Sequence, residues 1–273
     1  MIEIAVLITC FNRKEKTLKC LDCLYAQLPI EGYEVDVYLT NDGCTDGTPE
    51  VVSERYPKVH IINGDGNLYW NRGMYTAWKV AAETRDYDFY LWLNDDTLTY
   101  SHTLETLLDS SKSRDNKSII VGTTCATNNP SIITYGGRKI NKGLLPASKN
   151  TIECDYFNGN IILIPKYVYQ QIGMNDPRFR HALGDFDYGM RASKLGIKSI
   201  IAPNILGECD EHESLPTWCN PQKPFNKRWQ AFRTPLGHDP EEFFIYEFRH
   251  HGLTMACFHY LTNHLRVICP YLW

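Results

Sequence analysis

Through its first hundred residues the chain alternates short apolar runs with longer stretches in which apolar residues recur every three or four positions. The runs "IEIAVLIT", "EVDVYLT", "KVHII" and "DFYLWL" predict strands, and the stretches between them predict helices over Lys14 to Gln27, Pro49 to Tyr56 and around Met74 to Glu83. Such alternation predicts βαβ units building a mostly parallel sheet with helices on its faces. The second half is less regular. It holds "SIIVGTT", a Gly/Asn/Pro-rich region over 127–150, the apolar strand "NIILIP", a helix opening near "GDFDYGMRASKLG", and the strand "KSIIAP". From Leu215 the chain turns rich in Pro, Trp and His, and an aromatic helical pattern runs from Glu241 to Val267.

Composition narrows the classes. With 273 residues, 43% hydrophobic and 22% charged, the chain has material for one large core with an appendage. A net charge of -4 provides no general attraction for nucleic acid, so a polyanion partner is not expected, although a phosphate ligand remains compatible. The start "MIEIAVLITCFNR" lacks the basic start and small-residue cleavage site of a signal peptide, so a cytoplasmic location is expected. In that compartment ten dispersed cysteines read as reduced thiols. The close pair Cys20 and Cys23 sits in a helical pattern, with no second CxxC or CxxH to complete a zinc site. No apolar stretch reaches the ~18 residues of a membrane span.

The chemistry-bearing residues follow the strands, where open α/β sheets bind ligands. After "VYLT" comes "NDGCTDGT", in which Gly43 and Gly47 permit close backbone approach and Asp42 can accept hydrogen bonds from a base or ribose. Capping of the next helix by Asp46 or Thr48 explains the glycines equally well, but leaves Asn41 and Asp42 unexplained. After "YLWL" comes "NDDT": adjacent acids at the end of a buried strand repel each other, and a hard divalent cation on a diphosphate relieves that. Asp96 is the expected direct ligand, with Asn94 and Asp95 near ribose or water; the structural alternative is that Asp96 or Thr97 caps the helix holding Thr103 to Leu108. In "RFRHALGDFDYGMRASKLG" Asp185 stands at a helix start, where free amides keep a carboxylate ionised and able to act as a base. Asp187 and Arg191, four apart, read first as an intrahelical pair.

Taken in order, "TCFNR", "NDGCTDGT", "GDGNLYWNRGMYTAW", "LWLNDDT", "DYFNGNIILIPK", "GMNDPRFRHALGDFDYGMRASKLG" and a late His resemble the inverting family 2 glycosyltransferases of the GT-A fold, particularly rhamnosyltransferase-like members that build bacterial surface polysaccharide. The resemblance covers roughly residues 3 to 212 and rests on ordered motifs, each weak alone. It implies a Rossmann-like, mainly parallel mixed sheet over 1–214, with a nucleotide-sugar half (1–100) and an acceptor half (101–214), followed by a helical extension over 215–273. It implies Mg²⁺ or Mn²⁺, a UDP- or dTDP-sugar donor, and a hydroxyl of a glycan or lipid-linked acceptor.

Carried over by position, the resemblance makes Asp42 a base or ribose contact, Asp96 the metal ligand and Asp185 the acceptor-activating base. Asn67, Trp70 and Arg72 face the nucleotide sugar, Arg72 being suited to a diphosphate, and His212 lies near the metal. Two departures stand out: Gly184 replaces the Glu that usually precedes the base, and Asn94 replaces the first acid of the DxD-type triplet.

Two rival classes differ from this reading in their chemistry. A nucleotidyltransferase would carry a Gly-rich, basic loop after the first strand, where "TCFNRKEK" has no glycine. A degenerate sugar-nucleotide binder would not need both Asp96 and Asp185. The tail, 215–273, has six Lys/Arg against four acids, and Phe244, Phe248, His251, Met255, Phe258, Thr262 and Leu265 keep helical spacing. That stripe either lies on the inner membrane face or packs on the catalytic domain or a second subunit.

Overall fold

The computed structural model describes residues 1–211 and 215–272. In the first half β1 (Ile2–Cys10), α1 (Lys14–Tyr25), β2 (Tyr33–Asn41), α2 (Thr48–Arg55), β3 (His60–Asn63), α3 (Tyr69–Thr84) and β4 (Phe89–Leu93) alternate as the periodicity predicts. There follow β5 (Leu98–Thr99), α4 (Thr103–Lys112), β6 (Ile119–Ala126), β7 (Asn129–Tyr135), β8 (Gly137–Lys139), β9 (Gly143–Leu144), β10 (Ile152–Cys154), β11 (Tyr156–Phe157) and β12 (Ile161–Pro165). The chain continues through α5 (Lys166–Ile172), α6 (Gly184–Lys194), β13 (Ser199–Glu208), α7 (Phe225–Phe232), α8 (Pro240–His251) and α9 (Leu253–Ile268).

Among the described residues the main sheet has ten strands, ordered β10-β13-β6-β12-β4-β1-β2-β3, with β5 beside β13 and β7 beside β6. Strands β4, β1, β2 and β3 run parallel, as do β13 and β6, while β12 lies antiparallel between β4 and β6. Successive side chains of β1 enter different cores. Ile4, Val6 and Ile8 join the core that also holds buried residues of α1 and α4, whereas Ala5 and Leu7 join the one that holds Met74, Ala77 and Trp78 of α3. Burial on both faces explains why these strands read as unbroken apolar runs.

The α3 helix lies very close to β1: a Cβ at Gly73 would stand 2.1 Å from Thr9 Oγ1 and 2.8 Å from its Cβ. Gly73→Ala is therefore expected to cost about 1–3 kcal/mol through overpacking, read as a lower urea midpoint at unchanged slope.

Two local expectations are corrected, and one region without an assigned element gains strands. The Gly/Asn/Pro-rich 127–150 segment contains β7, β8 and β9, and β11-β8-β9 form a second small sheet. Neither Asp96 nor Thr97 caps α4, because the extended pair Leu98–Thr99 intervenes before the helix opens at Thr103. The pattern over 241–267 is two helices, broken at Gly252 with φ +88°.

The last three helices divide their contacts. Arg228 of α7 donates to the Val267 and Ile268 carbonyls at 2.9 and 3.2 Å, and Trp218, Phe232 and Val267 form a small core. Helix α8 returns to the main body, where Arg180 pairs with Asp239 at 2.6 Å and with Glu242 at 2.5 Å. Among the described residues no helix is long and apolar enough to cross a membrane.

Candidate active site

The acidic triplet stands where β4 ends. Asn94 N–H donates to the Asn160 carbonyl at 3.1 Å and Thr97 N–H to the Asn94 carbonyl at 3.1 Å, turning the chain sharply after Leu93. Asp95 is buried; it accepts from Thr17 Oγ1 at 3.2 Å and lies 3.4 Å from Arg13 Nη1. Burial, and next the charge of Asp96, push its carboxyl up to about 7 against the pull of Arg13 and Thr17. Asp96 meets Arg13 Nη1 at 2.8 Å, with Lys16 Nζ at 3.9 Å. Arg13 ends the motif "TCFNR" after β1, and Lys16 follows in the first turn of α1; the sequence assigns neither a role, and their nearness to the end of a strand is the signal that points to them.

Asp42 serves its own loop. Its Oδ1 accepts from the Gly66 and Leu68 amides at 2.9 and 3.2 Å, and its Oδ2 from the Tyr69 amide at 2.9 Å, so it gathers the amides at the start of α3. This explains why α3 begins at Tyr69, five residues before the expected Met74. Asn41 is equally engaged: Oδ1 accepts from Cys44 N–H at 2.9 Å and Nδ2 donates to Asn63 at 3.0 Å. Asn67 bonds back to Asp65 within its turn, and Arg72 Nε donates to the Pro177 carbonyl at 2.8 Å.

Trp70 joins the two halves of the site. Its indole Nε1–H donates to Asn94 Oδ1 at 2.7 Å, and its ring covers Gly159, where a Cβ would lie 2.4 Å from Cζ2. The Gly159 amide in turn donates to Asp185 Oδ2 at 2.9 Å, while Oδ1 accepts from Phe186 N–H at 2.8 Å. Burial pushes the Asp185 carboxyl up to about 6, the two amides pulling it back. Thus Asn94 and Asp185, far apart in sequence, are tied through one tryptophan and one glycine.

The neighbouring acid is fully engaged by other side chains. Asp187 has no exposed side-chain surface and pairs with Arg191 at 2.9 Å, Arg249 at 2.5 Å and His250 at 2.8 Å. The Asp187–Arg191 expectation holds, but two groups of α8 are added to it. Gly184 also gains a reason: a Cβ there would stand 1.9 Å from Asn71 Oδ1, and Asn71 is buried, donating to the Asp176 and Phe179 carbonyls. No glutamate fits in that space. His212 lies outside the described residues.

Among the described residues no three His, Cys, Asp or Glu side chains converge as a metal cage. A strained carboxylate pair at a strand end nevertheless fits a hard cation that takes one or two protein oxygens and completes its shell from phosphate and water.

The sequence profile described as Glycosyl transferase family 2 matches residues 5–169, more than half of the chain. An N-acetylglucosaminyl-diphospho-decaprenol L-rhamnosyltransferase of Mycobacterium tuberculosis is 23% identical over 222 residues, covering 68% of this chain and 69% of its own. An uncharacterized glycosyltransferase of Rickettsia typhi is 21% identical over 249 residues, 85% of this chain and 72% of its own. Among solved structures, a mannosyltransferase of Pyrobaculum calidifontis in complex with GDP-Man and Mn²⁺ superposes with TM-score 0.58 at 14% identity, over 98% of this chain and 73% of its own. S. aureus TarS does so with TM-score 0.57 at 13% identity over 91% of this chain, which spans only 44% of TarS.

Proposed function

The chain belongs to glycosyl transferase family 2, with the GT-A fold, and on that premise we propose that it is an inverting transferase moving a hexosyl or rhamnosyl group from a UDP- or dTDP-sugar to a hydroxyl of a glycan or lipid-linked acceptor. The observation that carries this reading is Asp185: a carboxylate fixed by two backbone amides, with its pKa raised toward neutrality, tied through Gly159 and Trp70 to the acidic turn after β4. The acceptor O–H gives its proton to Asp185 as the oxygen attacks the anomeric carbon from the side opposite the nucleotide. The bond from that carbon to the diphosphate oxygen breaks, and the nucleoside diphosphate leaves with both electrons.

Asp96, with Asp95 beneath it, would hold a Mg²⁺ or Mn²⁺ ion, whose charge stabilises a leaving diphosphate. Arg13 and Lys16, already beside these acids, supply further positive charge for the phosphates. Asp42 orders the donor loop through its three amide bonds, so its contribution to the nucleotide is to shape the loop around it. Residues 1–100 form the donor half, 101–214 the acceptor half and 215–273 an appended helical unit. The Mycobacterium tuberculosis relative's name supports a lipid-linked acceptor, and the GDP-Man and Mn²⁺ of the Pyrobaculum calidifontis complex support a nucleotide sugar with a divalent cation.

Thermal shift with a panel of nucleotide sugars, with and without Mn²⁺, tests the donor. A cognate donor at 100 times its Kd stabilises the fold by about 2.7 kcal/mol, and the shift should require the cation. Addition of acceptor should then release nucleoside diphosphate. Stabilisation by nucleoside triphosphate with sugar phosphate, and release of pyrophosphate, would instead make the protein a nucleotidyltransferase.

A further inference from the structure

Helix α9 buries only Ala256 and Val267, both on one side. On the other side Phe258, Leu261, Leu265 and Ile268 follow at helical spacing, and each is more than half exposed. Phe248 of α8, stacked on Phe244, is also more than half exposed. Four large apolar side chains exposed to this degree along one helix face form the kind of surface that marks an interaction site.

The charges around this surface are lopsided. Residues 252–272 contain no acid. Three of the four carboxylates of the tail are already paired, Asp239 and Glu242 with Arg180 and Glu241 with Arg233, and the fourth, Glu247, is buried with its Oε2 3.1 Å from His259 Nδ1. Lys223 and Lys227 are exposed and make no ion pair among the described residues. They stand by the end of α9, because Arg228 joins the Lys223 carbonyl to the Val267 and Ile268 carbonyls.

We propose that the outer face of α9, with Lys223 and Lys227 beside it, docks on the headgroup layer of an anionic lipid bilayer, lying in the interface without crossing it. An apolar helix face with basic residues at its margin matches that environment, the side chains entering the acyl boundary and the lysines meeting lipid phosphates. A second copy of this chain matches less well, because residues 252–272, which carry this face, hold no carboxylate to meet these lysines.

Flotation of the full chain with vesicles of equimolar phosphatidylglycerol and phosphatidylcholine tests the proposal. Wild type should float, and Leu261→Asp with Leu265→Asp should not, while its circular dichroism at the assay temperature stays that of the folded wild type, because both side chains are more than half exposed. Lys223→Gln with Lys227→Gln should bind on the order of 30-fold more weakly, from about 1 kcal/mol per lysine. Absence of flotation by wild type, equal flotation of all three proteins, or equal binding to pure phosphatidylcholine would each overturn it. So would a dimer in sedimentation that the paired Leu→Asp change dissociates while flotation is absent. Flotation probes this surface and donor binding probes the site, so the two proposals fail separately.

Discussion

Asp185→Asn is expected to reduce transfer by about 10²–10⁴-fold while leaving donor binding nearly unchanged, because the proposed proton acceptor is lost and the acidic turn is intact. Asp96→Ala should do the reverse first, weakening cation-dependent donor binding. In wild type, kcat/KM should fall about tenfold per pH unit below about pH 6, where Asp185 takes up its proton. The sign for stability is opposite to that of a salt-bridged acid: the folded pKa lies above the unfolded value, so stability falls as pH rises from about 3.8 to about 6 and the full cost of ionised Asp185 remains above that. Asparagine relieves that cost but satisfies only one of the two amides, a loss of about 1 kcal/mol, so the net change in stability at neutral pH should be small. Full turnover by Asp185→Asn at saturating acceptor, or transfer undiminished at pH 5, would remove Asp185 as the base.

Arg249→Ala should be the most destabilising single change in the last helices. Its guanidinium spans Asp187 at 2.5 Å and Asp176 at 2.7 Å, and Asp187 is wholly buried. Breaking such a pair costs about 3–5 kcal/mol; Arg191 and His250 remain, so the lower end is expected. Burial alone would raise the Asp187 pKa, yet the His250 hydrogen bond and the charges of Arg191 and Arg249 outweigh it and hold it below the ordinary range. Asp176 is likewise held low, with burial opposed by Arg178 and Arg249. Because both folded pKa values are depressed, their stabilisation is fully present above the unfolded value near 3.8 and is lost as pH falls through the lower folded values. The melting difference between wild type and Arg249→Ala should thus be large at pH 7 and shrink in acid. A difference unchanged at low pH would mean that Arg249 acts by packing alone.

These residues also mark where sequence reasoning stopped. Strands buried on both faces, such as Phe89–Leu93, announce themselves as unbroken apolar runs, and the polar residues that end them point to the site. The strands within 127–150 did not, because β7 lies off the sheet's main path with much of its length exposed and β8 and β9 are very short. The role of Asp42 was hidden because its partners are backbone amides, which carry no residue identity. Gly184 looked like a departure and proved a packing requirement imposed by Asn71, a side chain more than a hundred positions earlier. The break at Gly252 was masked by the apolar residues on both sides, which keep the same spacing through it.

The antiparallel placement of β12 has a kinetic consequence. Residues 161–165 fill the gap between β4 and β6, both of which precede them in the chain. Until they arrive, the βαβ units of the first half can assemble locally, but β4 keeps one row of amides and carbonyls unpaired along the uncharged segment "FYLWL". Closing the sheet requires an interstrand pairing more than sixty residues distant, a slow kind of step for a folding chain. During that interval the centre of the future sheet is an open, aggregation-prone edge, so refolding yield is set by how fast β12 inserts relative to how often two such edges meet.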